Sequence, residues 1–254
     1  MRLPDFINEM EKIAPPELAW EFDNPGLLVS PRNDDLKKIF VALDCTVETA
    51  KQAIAFDADL MLTHHPVLFR GVKHITKDDP ETAAVWMLLQ NGIGLYAAHT
   101  NWDSAKGGVN DIIMEKIGIT ETEPLPPEGL GRIGELSVPM PLKDLAGVVE
   151  NRFHTVVRVT GDPERIIKRV ACVGGSGGSD IQHVVNAGAD AYITGEVKHN
   201  QAIESVTLNL PMIVAGHFET EYPSMEYMMA RLQAISNDVL YKLALSDSSP
   251  FWHR

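Results

Sequence analysis

The sequence predicts an α/β protein of two lobes, each a mainly parallel sheet flanked by helices. Three observations support this. Short apolar runs of strand type alternate with stretches of helical composition from residue 37 onward. Those runs are apolar on successive positions, as strands covered on both faces are. A Pro- and Gly-rich stretch, ETEPLPPEGLG at 121–131, breaks the alternation once and divides the chain into residues 1–123 and 124–254.

The elements follow in order. A helix from Pro4 to about Ile13 places Leu3, Phe6, Ile7 and Met10 on one face. After the Pro, Asn and Gly punctuation of PPELAWEFDNPGLLVS, a short strand is expected at Leu27–Ser30. KKIFVALDCT is a strand, VETAKQAIAFDA a helix and DLMLTHH a strand. ETAAVWMLLQNG is a helix closed by Asn91-Gly92, and GIGLYAAHT is a third strand. Two strand–helix–strand units in succession call for parallel pairing. A helix over Val109–Ile117 stops at Gly118. Past the interruption, PLKDLAGVVENRF, SDIQHVVNAG and NQAIESVTLN are helices, and TVVRVTG, RVACVGG, DAYITGE and PMIVAGH are strands. PSMEYMMARLQAIS is a helix with Pro in its first turn, and DVLYKLALSD is a last strand that is free to return to the first lobe.

A formal net charge of −13 over 254 residues does not suit a chain that holds a phosphate backbone by bulk attraction, so nucleic acid is not the expected partner, although a local basic patch stays open. Cys45 and Cys172 lie in apolar runs without a Cys-x-x-Cys neighbour, which predicts buried free thiols and a reducing compartment. MRLPDFINEMEKIAPPEL lacks a signal-peptide core, and no stretch approaches the ~20 apolar residues of a membrane span. The expected location is the cytoplasm, with no membrane partner.

In open α/β sheets, ligands bind just beyond the carboxyl ends of parallel strands. DLMLTHH ends in His64 and His65, and GLYAAHTNWD ends in His99 and Asp103. AYITGE ends in Glu196 with His199 following, and PMIVAGHFETE ends in His217 and Glu221. Imidazole and carboxylate are the donors of borderline and hard divalent cations. Each piece alone has a scaffold explanation: a lone strand-end His is usually a hydrogen-bonded support, Asp103 or Glu196 a helix cap, His217 and Glu221 a surface pair. Together they mark a metal site. Consecutive residues at a strand end project in roughly opposite directions, so His64 and His65 are expected to serve two ions, bridged by Glu221 or, in its place, Asp103. His99 fits a general acid or base, with Glu196 orienting it or relaying a proton. The loop GGSGGSD at 174–180 is either a phosphate cradle or a tight turn that needs small residues, and it matches neither nucleotide fingerprint.

LTHHPVLF, YAAHTNWD, GGSGGS, YITGEVKHN and AGHFETE, in that order and with DNPGLLV ahead of them, resemble the GTP cyclohydrolase I type 2 family, also called the NIF-three-like dinuclear metal proteins. The resemblance runs through nearly the whole chain. It implies the NIF-three-like fold of two α/β lobes, a toroidal homohexamer and a two-metal site facing an internal cavity. It places the metal ligands on His64, His65, Asp103, His217 and Glu221, the positions the strand ends already single out. His99 and Glu196 become polar neighbours of the metals or of the substrate. Trp102 stands where a smaller apolar residue is usual and is expected to narrow the site. The implied activity is metal-dependent hydrolysis of a nucleotide-like or phosphorylated small molecule. It would use two divalent ions per subunit, whose identity is open among zinc, iron, manganese and nickel. Two rivals stay open: a non-catalytic metal-binding ring with a regulatory, nucleic-acid or protein-binding role, and metal storage, which mixed imidazole and carboxylate ligation disfavours.

Overall fold

The computed structural model describes residues 1–127, 129–245 and 249–251. Its strands are β1 (Gly26–Val29), β2 (Lys38–Ala42), β3 (Leu60–Thr63), β4 (Gly94–Ala97), β5 (Thr122–Pro124) and β6 (Arg132–Pro141). There follow β7 (Arg158–Thr160), β8 (Ile166–Val173), β9 (Ala191–Thr194), β10 (Met212–Val214) and β11 (Leu240–Leu243). They form two sheets, ordered β1-β4-β3-β2-β11 and β5-β6-β8-β9-β10-β7, as the α/β class requires. The chain divides into two compact units, Met1–Ala105 with Ser224–Ser248, and Lys106–Pro223 with Ser249–Arg254. Among the described residues no helix is long and apolar enough to cross a membrane.

In the first unit β2, β3, β4 and β11 run parallel, and β1 alone is antiparallel, paired with β4. Strands β3 and β4 are buried at every position, the condition of a sheet covered on both faces. Phe40, Met61 and Leu95 share a core with Ala50, Ala53 and Leu88 of the helices Val47–Phe56 and Ala83–Asn91. Tyr96, one position past Leu95, instead packs edge-on against Phe6 of the helix Leu3–Ile13, with ring centroids 5.4 Å apart. Each such fully buried large side chain contributes ~1.5–3 kcal/mol. A capping box starts the helix Val47–Phe56: Thr46 Oγ1 accepts from the Thr49 amide at 3.1 Å and Thr49 Oγ1 from the Thr46 amide at 2.8 Å. The expected last strand, DVLYKLALSD, contains β11 and pairs with β2 in this unit; its Ser246 and Asp247 lie outside the described residues.

The second unit corrects the expectation of a mainly parallel sheet. β8, β9 and β10 are parallel, but the β5–β6, β6–β8 and β7–β10 pairings are antiparallel, so this sheet is mixed. The element hidden in the sequence is β6, RIGELSVPMP. Its Gly134, Pro139 and Pro141 are strand-breaking residues, and its pairing with β8 is interrupted between Glu135 and Met140, around the Pro that has no N–H to give. ETEPLPPEGLG supplies β5 and the approach to β6, with Glu128 outside the described residues. It therefore lies inside the second unit, and the units meet in sequence at 105/106, 223/224 and 248/249 rather than at 123/124. Ile133, Ala171, Val173, Tyr192 and Met212 form the core here with Ile181 and Val184 of the helix Ile181–Asn186.

Candidate metal centre

Register brings the carboxyl ends of three strands of the first unit level, with Ala42 beside Thr63 and Thr63 beside Ala97. The residues that follow them, Asp44, His64, His65 and His99, therefore leave the sheet along one edge. Past Thr63 the backbone bends, and the amides of His64 and His65 both donate to Leu43 O, at 3.2 and 3.0 Å. The bend brings the rings together. Their centroids are 4.9 Å apart and lie 5.2 and 5.6 Å from that of His99. One ring nitrogen from each of the three falls within 4.8 Å of the others. The expected divergence of His64 and His65 fails because strand alternation stops with the strand, one residue before His64.

The three imidazoles share a hydrogen-bonding pattern. Nδ1 of His64 meets Ala98 O at 2.8 Å, Nδ1 of His65 meets Asp44 Oδ1 at 2.8 Å, and Nδ1 of His99 meets Asp23 Oδ1 at 2.7 Å. A carbonyl or carboxylate oxygen accepts only, so Nδ1 carries the proton and the neutral ring keeps its lone pair on Nε2. Asp103, on the short helix Thr100–Ser104, places Oδ1 3.5 Å from His64 Nε2. Both residues are buried, and two lone-pair atoms facing each other at that range suit a shared cation. Asp23 also accepts from the Thr100 amide at 3.0 Å and from the Thr100 hydroxyl. Burial alone would push its carboxyl up, but the hydrogen bonds from His99, Thr100 and the Asn24 amide hold it down at about 2 against the ordinary 3.8.

The second unit contributes its own pair. His217 opens, and Glu221 closes, the helix His217–Glu221 that follows β10; Nε2 of His217 lies 3.0 Å from Glu221 Oε2. Nδ1 of the same ring lies 3.4 Å from Glu196 Oε2. A neutral ring has one N–H for these two carboxylates. Either the ring is protonated or a cation lies toward one of them, and the donor set fits a divalent metal. Glycine makes this approach possible. A Cβ on Gly175, which sits at φ +59°, would run into Glu221 Oε1, and one on Gly195 would press on the backbone of Gly175, Gly216 and His217. Glu221 itself is buried, an environment carboxylates occupy when a partner compensates them.

Several expectations change at this level. Glu196 stands beside His217, and the carboxylate that orients His99 is Asp23. Trp102 is wholly buried in the first unit, its Nε1 donating to Ser224 Oγ at 3.2 Å and Arg231 lying 5.7 Å over its ring. In the loop GGSGGSD the amides of Gly174, Gly175 and Gly177 donate to Asn110 Oδ1, Thr220 Oγ1 and Thr194 Oγ1 at 2.8, 3.0 and 3.1 Å, so these three are committed within the fold, as in a tight turn that needs small residues. His199 is exposed. Cys45 and Cys172 are buried free thiols, both pushed up to about 12 by desolvation. Asp23 and Asp44 were not singled out. Asp44 had a signal, since β2 has a carboxyl end too, two residues before it.

Known proteins match this chain along its whole length. The profile described as Duf34/NIF3 (NGG1p interacting factor 3) matches residues 1–250. A "GTP cyclohydrolase 1 type 2 homolog" from Clostridium perfringens is 36% identical over 259 aligned residues, covering 99% of each chain. Among solved structures, a Bacillus cereus protein related to NIF3 superposes with a TM-score of 0.93 at 22% identity, over 100% of this chain and 99% of that one. Reduced HcgD from Methanocaldococcus jannaschii does so with a TM-score of 0.83 at 29% identity, over 97% and 98%.

Proposed function

The chain belongs to the Duf34/NIF3 family, and from that premise we propose that it is a dinuclear divalent-metal hydrolase acting on a nucleotide-like or phosphorylated small molecule. The ligands are His64, His65 and Asp103 of the first unit and His217 and Glu221 of the second, for zinc, iron, manganese or nickel. The observation that carries this reading is the common tautomer of the three clustered imidazoles, each with Nδ1–H given to an oxygen and its lone pair kept on Nε2. Metal-ligating histidines have this second hydrogen bond; scaffold histidines have no need of a shared one.

When bound, two such ions supply Lewis acidity for the oxygen that gathers charge and lower the pKa of water. The chain's own contribution is proton management and orientation. Asp23 holds His99 Nδ1–H at 2.7 Å, so Nε2 is the atom that takes a proton from the reacting group and returns it. Ala98 O and Asp44 fix the rings of His64 and His65, and Glu196 steadies His217. The homohexameric ring belongs to the same proposal, supported by the resemblance in sequence; sedimentation analysis tests it.

The test is an assay of purified, metal-loaded protein against a panel of nucleotides and phosphodiesters. The wild type turns over one of them. A His65→Ala/Glu221→Ala double variant loses metal and turnover together. His99→Gln keeps the metal and slows by about 10²–10⁴-fold. Retained metal with no turnover on any substrate contradicts hydrolysis and leaves a metal-binding protein without this chemistry.

A further inference from the structure

The second unit has a cleft of ≈ 770 Å³ at the rim where its parallel strands end. Ser176 and Ser179 reach it from the loop after β8, Val197 and Lys198 from the loop after β9, and His217 from the turn after β10. β7 runs antiparallel, with Arg158 registered against Val214, so its first residues arrive at the same rim. All four neighbouring strands therefore deliver side chains to one place, which is where open α/β sheets bind ligands. The volume is that of a small-molecule site.

The lining is divided by charge. Glu196 and Glu219 are two carboxylates of the cleft, Glu196 lying beside His217 Nδ1 and Glu219 folded against Gly216, where a Cβ would strike its carboxylate. Arg158 and Lys198 have no carboxylate within 4.0 Å among the described residues. They are exposed, and Ser176 and Ser179 line the cleft with them, the Ser179 hydroxyl donating to Asp180 Oδ2 at 3.2 Å. Val156, Val214 and Phe251 add an apolar wall, Phe251 being 71% exposed.

We propose that this cleft is the specificity pocket of the enzyme, and that Arg158 and Lys198, with Ser176, bind a phosphate ester on the substrate. The non-reacting carbon or ring portion lies on Val156 and Phe251, while His217 marks the end nearest the chemistry. This rests on the hydrolase reading for its orientation, but binding can be measured without turnover. Arginine suits the role because its fork matches phosphate oxygens two at a time, and lysine adds a point charge.

The experiment is calorimetric titration of the full-length, metal-loaded protein with AMP, GMP and ribose 5-phosphate beside adenosine, guanosine and ribose. The expected result is that phosphorylated probes bind and their unphosphorylated counterparts bind roughly tenfold or more weakly. Arg158→Ala/Lys198→Ala then loses about 10- to 100-fold for the phosphorylated probes only, with unchanged metal content and circular dichroism, and Arg158→Lys recovers part of the loss. Equal affinity for both classes, no binding of any phosphorylated probe, or an unaffected double variant overturns the proposal. A protein that takes up no metal yet shows the Arg158-dependent binding would sink the hydrolase reading while leaving the pocket.

Discussion

At the scale of residues, the site is a set of hydrogen bonds that fix protons. Asp23 is its most telling member, because one carboxylate holds His99 and, through Thr100, the helix that carries Asp103. Asp23→Asn is expected to leave the fold intact and to lower turnover by about 10²–10⁴-fold, since an amide can present its N–H to Nδ1 and reverse the tautomer; kcat against pH checks it. The same carboxyl titrates at about 2 rather than 3.8. A folded-state value below the unfolded one means stabilisation present above pH ~4 and lost as pH falls toward 2, on the order of 1 kcal/mol once solvent screening of this half-buried residue is allowed for. Acid unfolding of the wild type should therefore steepen across that window, and Asp23→Asn should flatten it. The strand-end histidines, Asp103 and Glu221 were legible in sequence because imidazole and carboxylate after an apolar run are conspicuous. Asp23 was not, because its partner is 76 residues away and no local pattern announces a tertiary contact.

At the scale of elements, glycine and a buried ion pair decide whether the supports hold. Gly175 combines a left-handed φ of +59° with the close approach of Glu221 and His217. Gly175→Ala should destabilise by about 2–3 kcal/mol and reduce metal uptake, read by urea unfolding and metal analysis. Arg132 explains how β6 can follow the Pro- and Gly-rich approach. Its Nε donates to Asp111 Oδ1 at 2.6 Å, and its Nη1 to the carbonyls of Gly129 and Gly131 at 3.2 and 3.0 Å, tying the turn to the helix Val109–Lys116. With Arg132 buried, Arg132→Ala leaves Asp111 without its charge partner, held by the Gly107 amide and the Thr122 hydroxyl, and should cost about 2–3 kcal/mol, whereas breaking an exposed pair such as Lys143–Glu164 should leave stability nearly unchanged. The parallel strands and their helices were readable from apolar runs, caps and Ala-rich spacing. β6 was not, because a strand held by a buried arginine has no need of strong strand propensity and can tolerate Gly134, Pro139 and Pro141.

At the scale of the whole molecule, the amino-acid pattern conveys the class and the two sheets, and it puts imidazole and carboxylate side chains at strand ends. It misplaces the division between units, because a Pro- and Gly-rich stretch can build a short edge strand as readily as a linker. It is silent on the proposed substrate, whose pocket draws on side chains such as Arg158 and Phe251 that carry no motif. The central claim is that residues from two distant stretches of the chain, 64–103 and 217–221, hold divalent metal. Inductively coupled plasma mass spectrometry on purified protein tests it most directly, after loading and removal of loosely held ions. The account predicts about two ions per chain in the wild type and close to none in His65→Ala/Glu221→Ala. A metal-free wild type, or a double variant that keeps its full complement, would contradict it.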